Sequence, residues 1–479
     1  MPSPRALCSA VFRRPGRVSC VRVRAGVCGV DLGTSNSAVA VLRPGRQLAA
    51  VLHDRDGQKI VPSVVHFASD GSVLVGADAV EAGRSDPANT FHSIKRFIGL
   101  SMEEVKREAQ LVPFEVADDG DGGILLHAPN LEEPLRPQEV SARVLRALFD
   151  RYERVMGEAV DKVVVTVPAY FNDRQRAATE EAARLAGVEK VRLLREPIAA
   201  ALAYGAGREE EERVLVFDLG GGTFDVSVVD VGGDTVEVIA TGGDAHLGGD
   251  DLDQRIAKFL AKEARAAGVR DGAKATLLLP AARAAREHLS QVNKTRVHVP
   301  SGMVVPFGEG EADVPEGGAL VQLTKNHLLK VLGPELKRMR LPLERCALSA
   351  GLDLQALQER AARKSGGAGA HPFAEVLLVG GATRTPAVRT FVENVTGRKP
   401  RPKAVNPDEA VAAGAALQAA IYEGELETLY SFDAFQSSLM RAIISREMRG
   451  SGEFDEEEGE WEEEEEEGEW AEEEEEQLR

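Results

Sequence analysis

The chain has 479 residues, of which 43% are apolar, and this is enough for one large two-lobed core or two ordinary domains. No stretch reaches the roughly 18 uninterrupted apolar residues that a membrane-spanning helix requires, so the sequence predicts no membrane contact. The formal net charge is −19, but residues 453–476 alone hold 18 acidic side chains and no basic one. The rest of the chain is therefore close to neutral, which argues against a basic face for nucleic acid.

Two features of the sequence concern the cellular compartment. Residues 1–26 contain six arginines, no acidic residue and several Ser, Ala and Val residues, as in a transit peptide for a plastid or a mitochondrion. The alternative is an extension without a targeting role, on a cytoplasmic protein. The four cysteines have neither CxxC spacing nor the density of a disulfide scaffold, so we expect free thiols in a reducing compartment.

A strand–loop–strand pattern occurs twice in the chain. The first copy has apolar runs at Val27–Val30 and Ala38–Leu42 on either side of the loop DLGTSNS. The second copy has apolar runs at Val214–Phe217 and Val226–Val231 on either side of DLGGGTFD. The repetition predicts a duplicated α/β fold in which each half presents one hairpin loop.

A buried strand and a capped helix are predicted between the two copies. Val163–Val167 is a short apolar run of the kind that forms a buried strand. The helix is predicted over residues 172–186, with Asn172 as its N-terminal cap and Gly187 as its terminator.

A second strand and helix are predicted downstream. The strand Val376–Val379 is followed by two glycines. Asn406, Pro407 and Glu409 have the spacing of a capping box, which predicts an alanine-rich helix from there to about Tyr422. Strands that alternate with helices favour sheets covered by helices on both faces.

The sequence after this helix falls into two parts. Residues 423–452 are a short extension with one predicted amphipathic helix around Phe435–Met448. Residues 453–479 form an acidic tail. Because an acidic run repels itself and cannot bury a core, the tail is predicted to be disordered.

The two hairpin loops carry the groups that a nucleoside triphosphate requires: close backbone approach, hydroxyl and amide donors, and carboxylates that hold Mg²⁺ through water. In the first loop Asp31 would hold the hydrated metal, and the phosphate-binding candidates are Gly33, Thr34, Ser35 and Asn36. In the second loop two acids, Asp218 and Asp225, flank the candidates Gly220, Gly221, Gly222 and Thr223. One such loop would be an ordinary turn, but two matched loops indicate a phosphate site.

The motifs resemble those of the seventy-kilodalton heat-shock chaperone family. DLGTSNS, SIKRFIG, TVPAYFNDRQR, REPIAAALAYG, DLGGGTFDVS, HLGGDD, LLVGGATRTP and NPDEAVAAGAALQAA follow one another in the family's order, from about Val27 to Tyr422. The resemblance implies an actin-like α/β ATPase fold over residues 27–422, whose two lobes each contain a duplicated RNase H-like sheet-and-helix core. It also implies a cleft for ATP or ADP with Mg²⁺, and K⁺ is a further candidate.

The same resemblance assigns catalytic roles. Lys95 in SIKRFIG would reach the γ-phosphate and orient the attacking water, while Thr223 would hydrogen-bond the γ-phosphate. Glu196 and Asp225 would orient or deprotonate the nucleophile near the waters of the metal. Asp31 and Asp218 would complete the acidic ring. The alternative for each acid taken singly is a helix cap or an exposed charge.

The nucleoside end of the predicted site departs from the family. Four residues match the family's loop beneath the base and ribose, namely Gly380, Gly381, Arg384 and Asp408. On the helix that clamps the nucleoside, the corresponding residues are Arg283, Arg286, Glu287 and Ser290. An arginine therefore replaces a ribose-binding carboxylate, and a glutamate replaces a base-stacking arginine. The change affects the expected affinity and base selectivity, and a compensating charge swap is the alternative.

Pro168 and Arg176 in VPAYFNDRQR resemble the family's switch, which relays the nucleotide state to the surface between the lobes. The expected function is ATP hydrolysis in protein folding or its regulation, through a co-chaperone, an exchange factor or a basic partner of the tail. Residues 423–452 are too few for the family's peptide-binding sandwich, so we expect none; an incomplete gene model is the alternative. The other functional alternatives are a non-catalytic regulator of a full-length chaperone and an actin-like small-molecule kinase.

Overall fold

The computed structural model describes residues 26–43, 49–205, 208, 210–232, 235–269, 275–299, 318–356, 371–401, 404–424, 426 and 430–432. The predicted transit peptide, apart from Gly26, lies outside the described residues. So do the predicted helix at 435–448 and the acidic tail. Among the described residues, no helix is long and apolar enough to cross a membrane.

The strands are, in chain order, β1 (Val27–Leu32), β2 (Asn36–Leu42), β3 (Ala49–Val51), β4 (Val61–Pro62), β5 (Val65–Phe67), β6 (Val73–Val75), β7 (Thr90–Phe91), β8 (Glu115–Asp118), β9 (Ile124–His127), β10 (Lys162–Val167), β11 (Lys190–Arg195), β12 (Glu212–Leu219), β13 (Phe224–Gly232), β14 (Thr235–Asp244), β15 (Lys294–Val299), β16 (Ala319–Thr324), β17 (Glu375–Val379) and β18 (Tyr430–Phe432). The helices are α1 (Ala77–Gly83), α2 (Lys106–Ala109), α3 (Pro137–Met156), α4 (Asp173–Leu185), α5 (Glu196–Gly205), α6 (Gly249–Ala266), α7 (Leu279–His288), α8 (Lys325–Val331), α9 (Gly333–Ser349), α10 (Pro386–Thr396) and α11 (Ala410–Tyr422). Short 3₁₀ helices lie at Pro87–Asn89, Ile94–Arg96, Ala275–Leu278 and Gly381–Arg384.

Two sheets repeat the same arrangement, which confirms the predicted duplication. In the first sheet the order is β11-β10-β1-β2-β3, with β1 antiparallel to β2 and parallel to β10. In the second sheet the order is β17-β12-β13-β14-β18, with β12 antiparallel to β13 and parallel to β17. Each sheet thus has a hairpin next to a parallel strand, and each hairpin ends in one of the two glycine-containing loops.

The helices α5 and α11 lie between the two sheets and share one hydrophobic core with residues of both. Small residues allow the close approach that this packing requires. A Cβ atom on Gly29 of β1 would stand 2.0 Å from the backbone nitrogen of Ala416 in α11. A Cβ atom on Gly414 would stand 1.7 Å from the carbonyl oxygen of Ala199 in α5. The alanine-rich composition of both helices follows from the narrow space between the sheets.

The start of α4 confirms the predicted cap. The Asn172 side chain accepts a hydrogen bond from the backbone N–H of Gln175 at 2.9 Å, and the Gln175 side chain accepts one from the Asn172 N–H at 3.1 Å. These reciprocal bonds satisfy two of the donors that a helix start leaves unpaired. Gly187 follows the helix with φ +97°, a conformation that glycine adopts without strain.

The predicted capping box before α11 forms only in part: the Asn406 side chain accepts a hydrogen bond from the Asp408 N–H at 3.3 Å, but α11 begins at Ala410 and a turn occupies residues 407–409. The Asn406 amide donates to the Glu409 side chain, so that carboxylate does not reach the Asn406 backbone N–H as a capping box requires. The Pro407 carbonyl instead accepts a hydrogen bond from Gly380 at 3.0 Å, which ties this turn to the end of β17.

Within the predicted extension at 423–452, residues 430–432 form β18, which pairs in parallel with β14 from Thr235 to Glu237. This strand adds one edge strand to the second sheet.

Candidate functional site

A cleft of about 560 Å³ lies between the two hairpin loops. Most of the sequence-predicted site residues line it: Asp31, Gly33, Thr34, Ser35, Asn36, Lys95, Glu196, Asp218, Gly220, Gly221, Thr223, Arg286, Ser290, Gly380, Gly381, Arg384 and Asp408. The remaining four predicted residues, Gly222, Asp225, Pro168 and Arg176, lie outside this lining.

The two loops approach each other through glycines. A Cβ atom on Gly221 would stand 2.0 Å from the Ser35 hydroxyl oxygen, and one on Gly222 would stand 2.8 Å from Cγ2 of Thr34. In the first loop, a Cβ atom on Gly33 would stand 2.1 Å from the carbonyl oxygen of Asn36. A larger residue at Gly221 or Gly222 would meet the first loop, and one at Gly33 would meet the backbone of its own loop, so these glycines allow both backbones to lie at the cleft.

Lys95 and Glu196 form a buried ion pair at the base of the cleft. Lys95 lies in the 3₁₀ helix Ile94–Arg96, and Glu196 is the first residue of α5. The Lys95 ammonium is 2.5 Å from Oε1 of Glu196, and the two side chains are 8% and 9% exposed. Burial alone would lower the pKa of Lys95, but the Glu196 and Asp31 carboxylates outweigh it, and the net pKa is raised. The lysine therefore stays charged at neutral pH.

Three aspartates surround this pair, and their pKa values are raised. Burial, followed by the nearby Glu196 carboxylate, raises the pKa of Asp31 from 3.8 to about 7. The same two causes raise the pKa of Asp225 to about 7 and that of Asp218 well above its ordinary value. Glu196 and the three aspartates together outnumber the one lysine, so their negative charge is not fully balanced by side chains. A bound cation could supply the missing positive charge.

The carboxylates are spread around the cleft. Among the described residues, no group of three or more His, Cys, Asp or Glu side chains could hold a metal ion directly. A hydrated Mg²⁺, which keeps several of its waters, is the form that such a dispersed ring of acids fits. The number and the separation of these carboxylates are thus compatible with contacts to the waters of a metal ion and not to the ion itself.

Two supporting residues were missed by the sequence reasoning. Thr166 donates a hydrogen bond to Oδ1 of Asp31 at 3.4 Å from the neighbouring strand β10. Arg96 donates to the carbonyl oxygen of Gly222 at 3.0 Å and to Asp251 at 2.7 Å, and so holds the second loop. Their signals are weak: Thr166 is the one hydroxyl in an apolar strand, and Arg96 merely follows Lys95 in SIKRFIG.

Asp225 connects the cleft to the predicted switch. Its carboxylate accepts hydrogen bonds from the Thr223 side chain and from the backbone N–H of Ala169, the residue after Pro168. Arg176 lies farther out, where it donates to the carbonyl oxygen of Phe171 and to Asp173, both at 2.6 Å. Pro168 is therefore the chain neighbour of Ala169, which contacts Asp225 of the acidic ring. Arg176 instead contacts Phe171 and Asp173.

The loop after β17 forms one wall of the cleft, at the predicted nucleoside end. Gly380 has φ +79°, and a Cβ atom there would stand 2.3 Å from the carbonyl oxygen of Leu219. Arg384 donates to Oδ2 of Asp408 through Nη2 at 2.5 Å and through Nε at 3.1 Å. This pair joins the Gly381–Arg384 helix to the turn before α11, as expected for residues that share one binding surface.

The opposite wall is α7, whose arginines are held by acids of α6. Arg286 is buried and donates to both oxygens of Asp253, at 2.6 and 3.1 Å. Arg283 donates to Asp253 at 3.1 Å and to Asp250 at 2.6 Å. Glu287 is exposed at the cleft, and no side-chain partner of it occurs among the described residues. Glu287 is thus the charged group of α7 that faces the cleft without an ion pair.

Two sheets with matched hairpin loops, two helices between them and an acidic, glycine-lined cleft define an actin-like nucleotide-binding domain. The family model described as Hsp70 protein matches residues 27–439, and the chain belongs to the Hsp70 family.

The relatives support the same assignment. The chain is 40% identical to a chaperone protein dnaK of Cyanidioschyzon merolae over 420 residues, which are 87% of this chain and 65% of the relative. It is also 40% identical to heat shock 70 kDa protein 6, chloroplastic, of Arabidopsis thaliana over 417 residues, which are 86% of this chain and 54% of the relative. A stromal 70 kDa heat shock-related protein, chloroplastic, of Pisum sativum is likewise 40% identical, with 55% of it covered. The chain spans between half and two thirds of the length of these relatives.

The resemblance inferred from the motifs is therefore confirmed, as is the actin-like α/β fold. The matched region is the nucleotide-binding domain of the Hsp70 family, whose members are ATPases that bind ATP or ADP with Mg²⁺ and work with co-chaperones and exchange factors.

Proposed function

We propose that this chain binds ATP with Mg²⁺ in the cleft, hydrolyses it to ADP and phosphate, and uses the cycle in protein folding or its regulation. The observation that carries the proposal is the Lys95–Glu196 ion pair, which lies between two glycine-lined loops and three aspartates of raised pKa.

Phosphate binding falls to the two hairpin loops. Gly33, Gly220 and Gly221 leave the backbone open to the phosphates, and Gly222 keeps the second loop against the first. The donors proposed for the phosphate oxygens belong to Thr34, Ser35, Asn36 and Thr223. Asp31 and Asp218 hold the waters of Mg²⁺, which neutralises phosphate charge when bound. K⁺ is a further candidate in the same cleft.

For the chemical step, the charged Lys95 side chain stabilises the γ-phosphate and orients the attacking water. The proposed proton acceptors are Glu196, which pairs with this lysine, and Asp225. The raised pKa of Asp225, about 7, suits a group that must take up a proton near neutral pH. Thr223 both donates to Asp225 and faces the cleft, so it can hold the carboxylate in place beside the phosphate.

The nucleoside is proposed to lie between α7 and the loop after β17. Gly380, Gly381, Arg384 and Asp408 would support the base and ribose from below. Arg286 of α7 and Ser290 in the turn after α7 would contact it from the other side, with Arg286 kept in place by Asp253. Glu287 cannot stack on a purine as an arginine does, so we infer a weakened clamp.

Pro168 and Arg176 are proposed as the switch. The hydrogen bond from Ala169 to Asp225 supports a relay from the acidic ring to the turn after β10. The contact of Arg176 with the carbonyl oxygen of Phe171 supports its place on the same turn.

A plastid is the proposed compartment, because several relatives are named chloroplastic and residues 1–26 are arginine-rich and free of acids.

The proposed partners are a co-chaperone, an exchange factor and a basic partner of the tail. The partner of the tail can be sought with intrinsic tryptophan fluorescence, because the chain's two tryptophans, Trp461 and Trp470, both lie in the tail. A basic partner should shift that emission with an affinity that falls as salt rises. That the output passes through a partner stays a prediction.

Single-turnover hydrolysis by the full chain tests the enzymatic proposal. We expect phosphate release from ATP and Mg²⁺ alone. ATP binding without phosphate release would favour the non-catalytic regulator. Phosphate transfer that requires an added small-molecule acceptor would favour the kinase, an outcome that membership of the Hsp70 family argues against.

A further inference from the structure

Asp250 in the first turn of α6 joins three parts of the site. Its backbone N–H donates to the carbonyl oxygen of Gly221 in the second hairpin loop at 2.9 Å. Its Oδ2 accepts a hydrogen bond from the Ser93 hydroxyl at 3.2 Å, and its Oδ1 accepts one from Arg283 of α7 at 2.6 Å. Asp250 thus contacts the second hairpin loop through its backbone, and the lysine turn and the nucleoside wall through its carboxylate.

The lysine turn, residues Ser93–Arg96, is held at both ends by neighbouring aspartates of α6. Ser93 contacts Asp250, and Arg96 contacts Asp251 at 2.7 Å. Ser93 has φ +58° and ψ +26°, and is the one described non-glycine residue with positive φ. A non-glycine residue keeps such a conformation only where its surroundings hold it, so the contacts at Asp250 matter for the position of Lys95.

Arg283 fixes the orientation of the Asp250 carboxylate. It donates to Asp250 through Nη2 and to Asp253 through Nε, and so bridges two acids one turn apart on α6. Its side chain is 47% exposed and that of Asp250 is 14% exposed, so water screens part of the charge attraction. The main effect we assign to Arg283 is therefore geometric. It selects the Asp250 rotamer in which Oδ2 accepts the hydrogen bond from the Ser93 hydroxyl.

We propose that Arg283 is a positioning residue that couples the nucleoside wall to Lys95 through Asp250 and Ser93. This proposal rests on the proposed ATPase function. At this position the sequence predicted the loss of a ribose ligand or a compensating charge swap. The contacts support a different role for Arg283, in which movement of α7 as a nucleoside binds is transmitted to the turn that carries Lys95. A small displacement of a preorganised cation from the reacting phosphate is enough to slow the chemistry.

The first test is single-turnover hydrolysis with ATP at saturation. Arg283→Ala should slow hydrolysis of bound ATP by about tenfold, as expected when a catalytic group is misplaced but not removed, with a smaller change in ATP dissociation constant. Arg283→Lys should restore part of the rate. The double variant Arg283→Ala/Ser93→Ala should be no slower than the slower single variant, because both changes break one pathway. Arg255→Gln is the control, because it breaks the ion pair between Arg255 of α6 and Glu335 of α9.

A second readout does not require turnover. Amide hydrogen exchange at residues 94–97 should be faster in Arg283→Ala than in the wild-type chain, and unchanged in Arg255→Gln. An unchanged rate of hydrolysis with weaker ATP binding, additive effects in the double variant, or unchanged exchange at residues 94–97 would overturn the proposal. A wild-type chain that binds ATP without turnover would refute the proposed function alone, and the exchange experiment would still decide the coupling.

Discussion

The Lys95 ammonium and Oε1 of Glu196 are 2.5 Å apart, although 101 residues separate them in the chain. Lys95 comes from a short turn beside the first sheet, and Glu196 begins a helix that lies between the sheets. The pair is nearly inaccessible to water, so each charge is felt strongly by its neighbours. A phosphate that enters this cleft meets a cation whose charge and place are set before binding.

Replacement of that cation should separate binding from chemistry. We expect Lys95→Met to slow single-turnover hydrolysis by about a hundredfold or more, because a preorganised charge at the reacting phosphate is lost. ATP affinity, measured by titration calorimetry, should change much less. Lys190→Met, which breaks an exposed pair with Asp161, is the control. Equal losses of affinity and rate, or an unaffected rate, would contradict the assignment.

The raised pKa of Asp31 predicts a pH-dependent stability. In the unfolded chain this carboxyl ionises near pH 3.8, whereas in the folded protein it ionises near pH 7. Between these values the folded state binds the proton more tightly, so stability is lost as pH rises from about 4 to about 7. Asp31→Asn removes this loss of stability. The thermal midpoint of the variant minus that of the wild-type protein should therefore be higher at pH 8 than at pH 5.

Differential scanning calorimetry of the nucleotide-free protein measures this relative midpoint. Asp121→Asn is the control for the loss of an exposed carboxylate. A relative midpoint of Asp31→Asn that is independent of pH would show that the Asp31 carboxyl ionises alike in both states, and one that is lower at pH 8 would show that folding lowers its pKa; either result contradicts the prediction.

The exposed Glu287 predicts a nucleoside clamp that one substitution can strengthen. Arg283 and Arg286 both donate to Asp253, which fixes their guanidinium groups against α6. Glu287→Arg would supply a guanidinium at the cleft, and we expect ATP affinity to rise by roughly threefold to tenfold. Titration calorimetry measures the change, and Glu263→Arg on the exposed face of α6 controls for net charge. Unchanged or weaker ATP binding would show that the clamp works by another arrangement.

The packing of α11 against α5 predicts an intolerant glycine. Gly414→Ala would place a Cβ atom 1.7 Å from the carbonyl oxygen of Ala199, so the two helices must separate. We expect the free energy of unfolding to fall by about 2 kcal/mol or more, as for other overpacked cores. Gly333→Ala is the matched control, because a Cβ atom there meets nothing within 4 Å. Denaturant titration compares the two variants, and equal stability of both would contradict this account.

The sequence alone determined the elements whose signals are local. The hairpin loops could be recognised because strand, glycine and acid recur within a dozen residues in each copy. The boundaries of α4 could be predicted because Asn172, Gln175 and Gly187 act within one turn of the helix ends. The motif order also carried the family assignment and most residues of the cleft, since those residues lie inside the motifs themselves.

The tertiary structure decided what depends on contacts between distant segments. The hydrogen bond of Gly380 to Pro407 ties the turn before α11 to the end of β17, a contact that the local capping signal does not indicate. The role of Thr166 follows from its contact with Asp31 across 135 positions of sequence. The bonding of Arg283 and Arg286 to the acids of α6 turned an apparent loss of ligands into an ion-pair network. None of these contacts has a local pattern, because the partner of a side chain is set by which elements pack together and not by its neighbours in the chain.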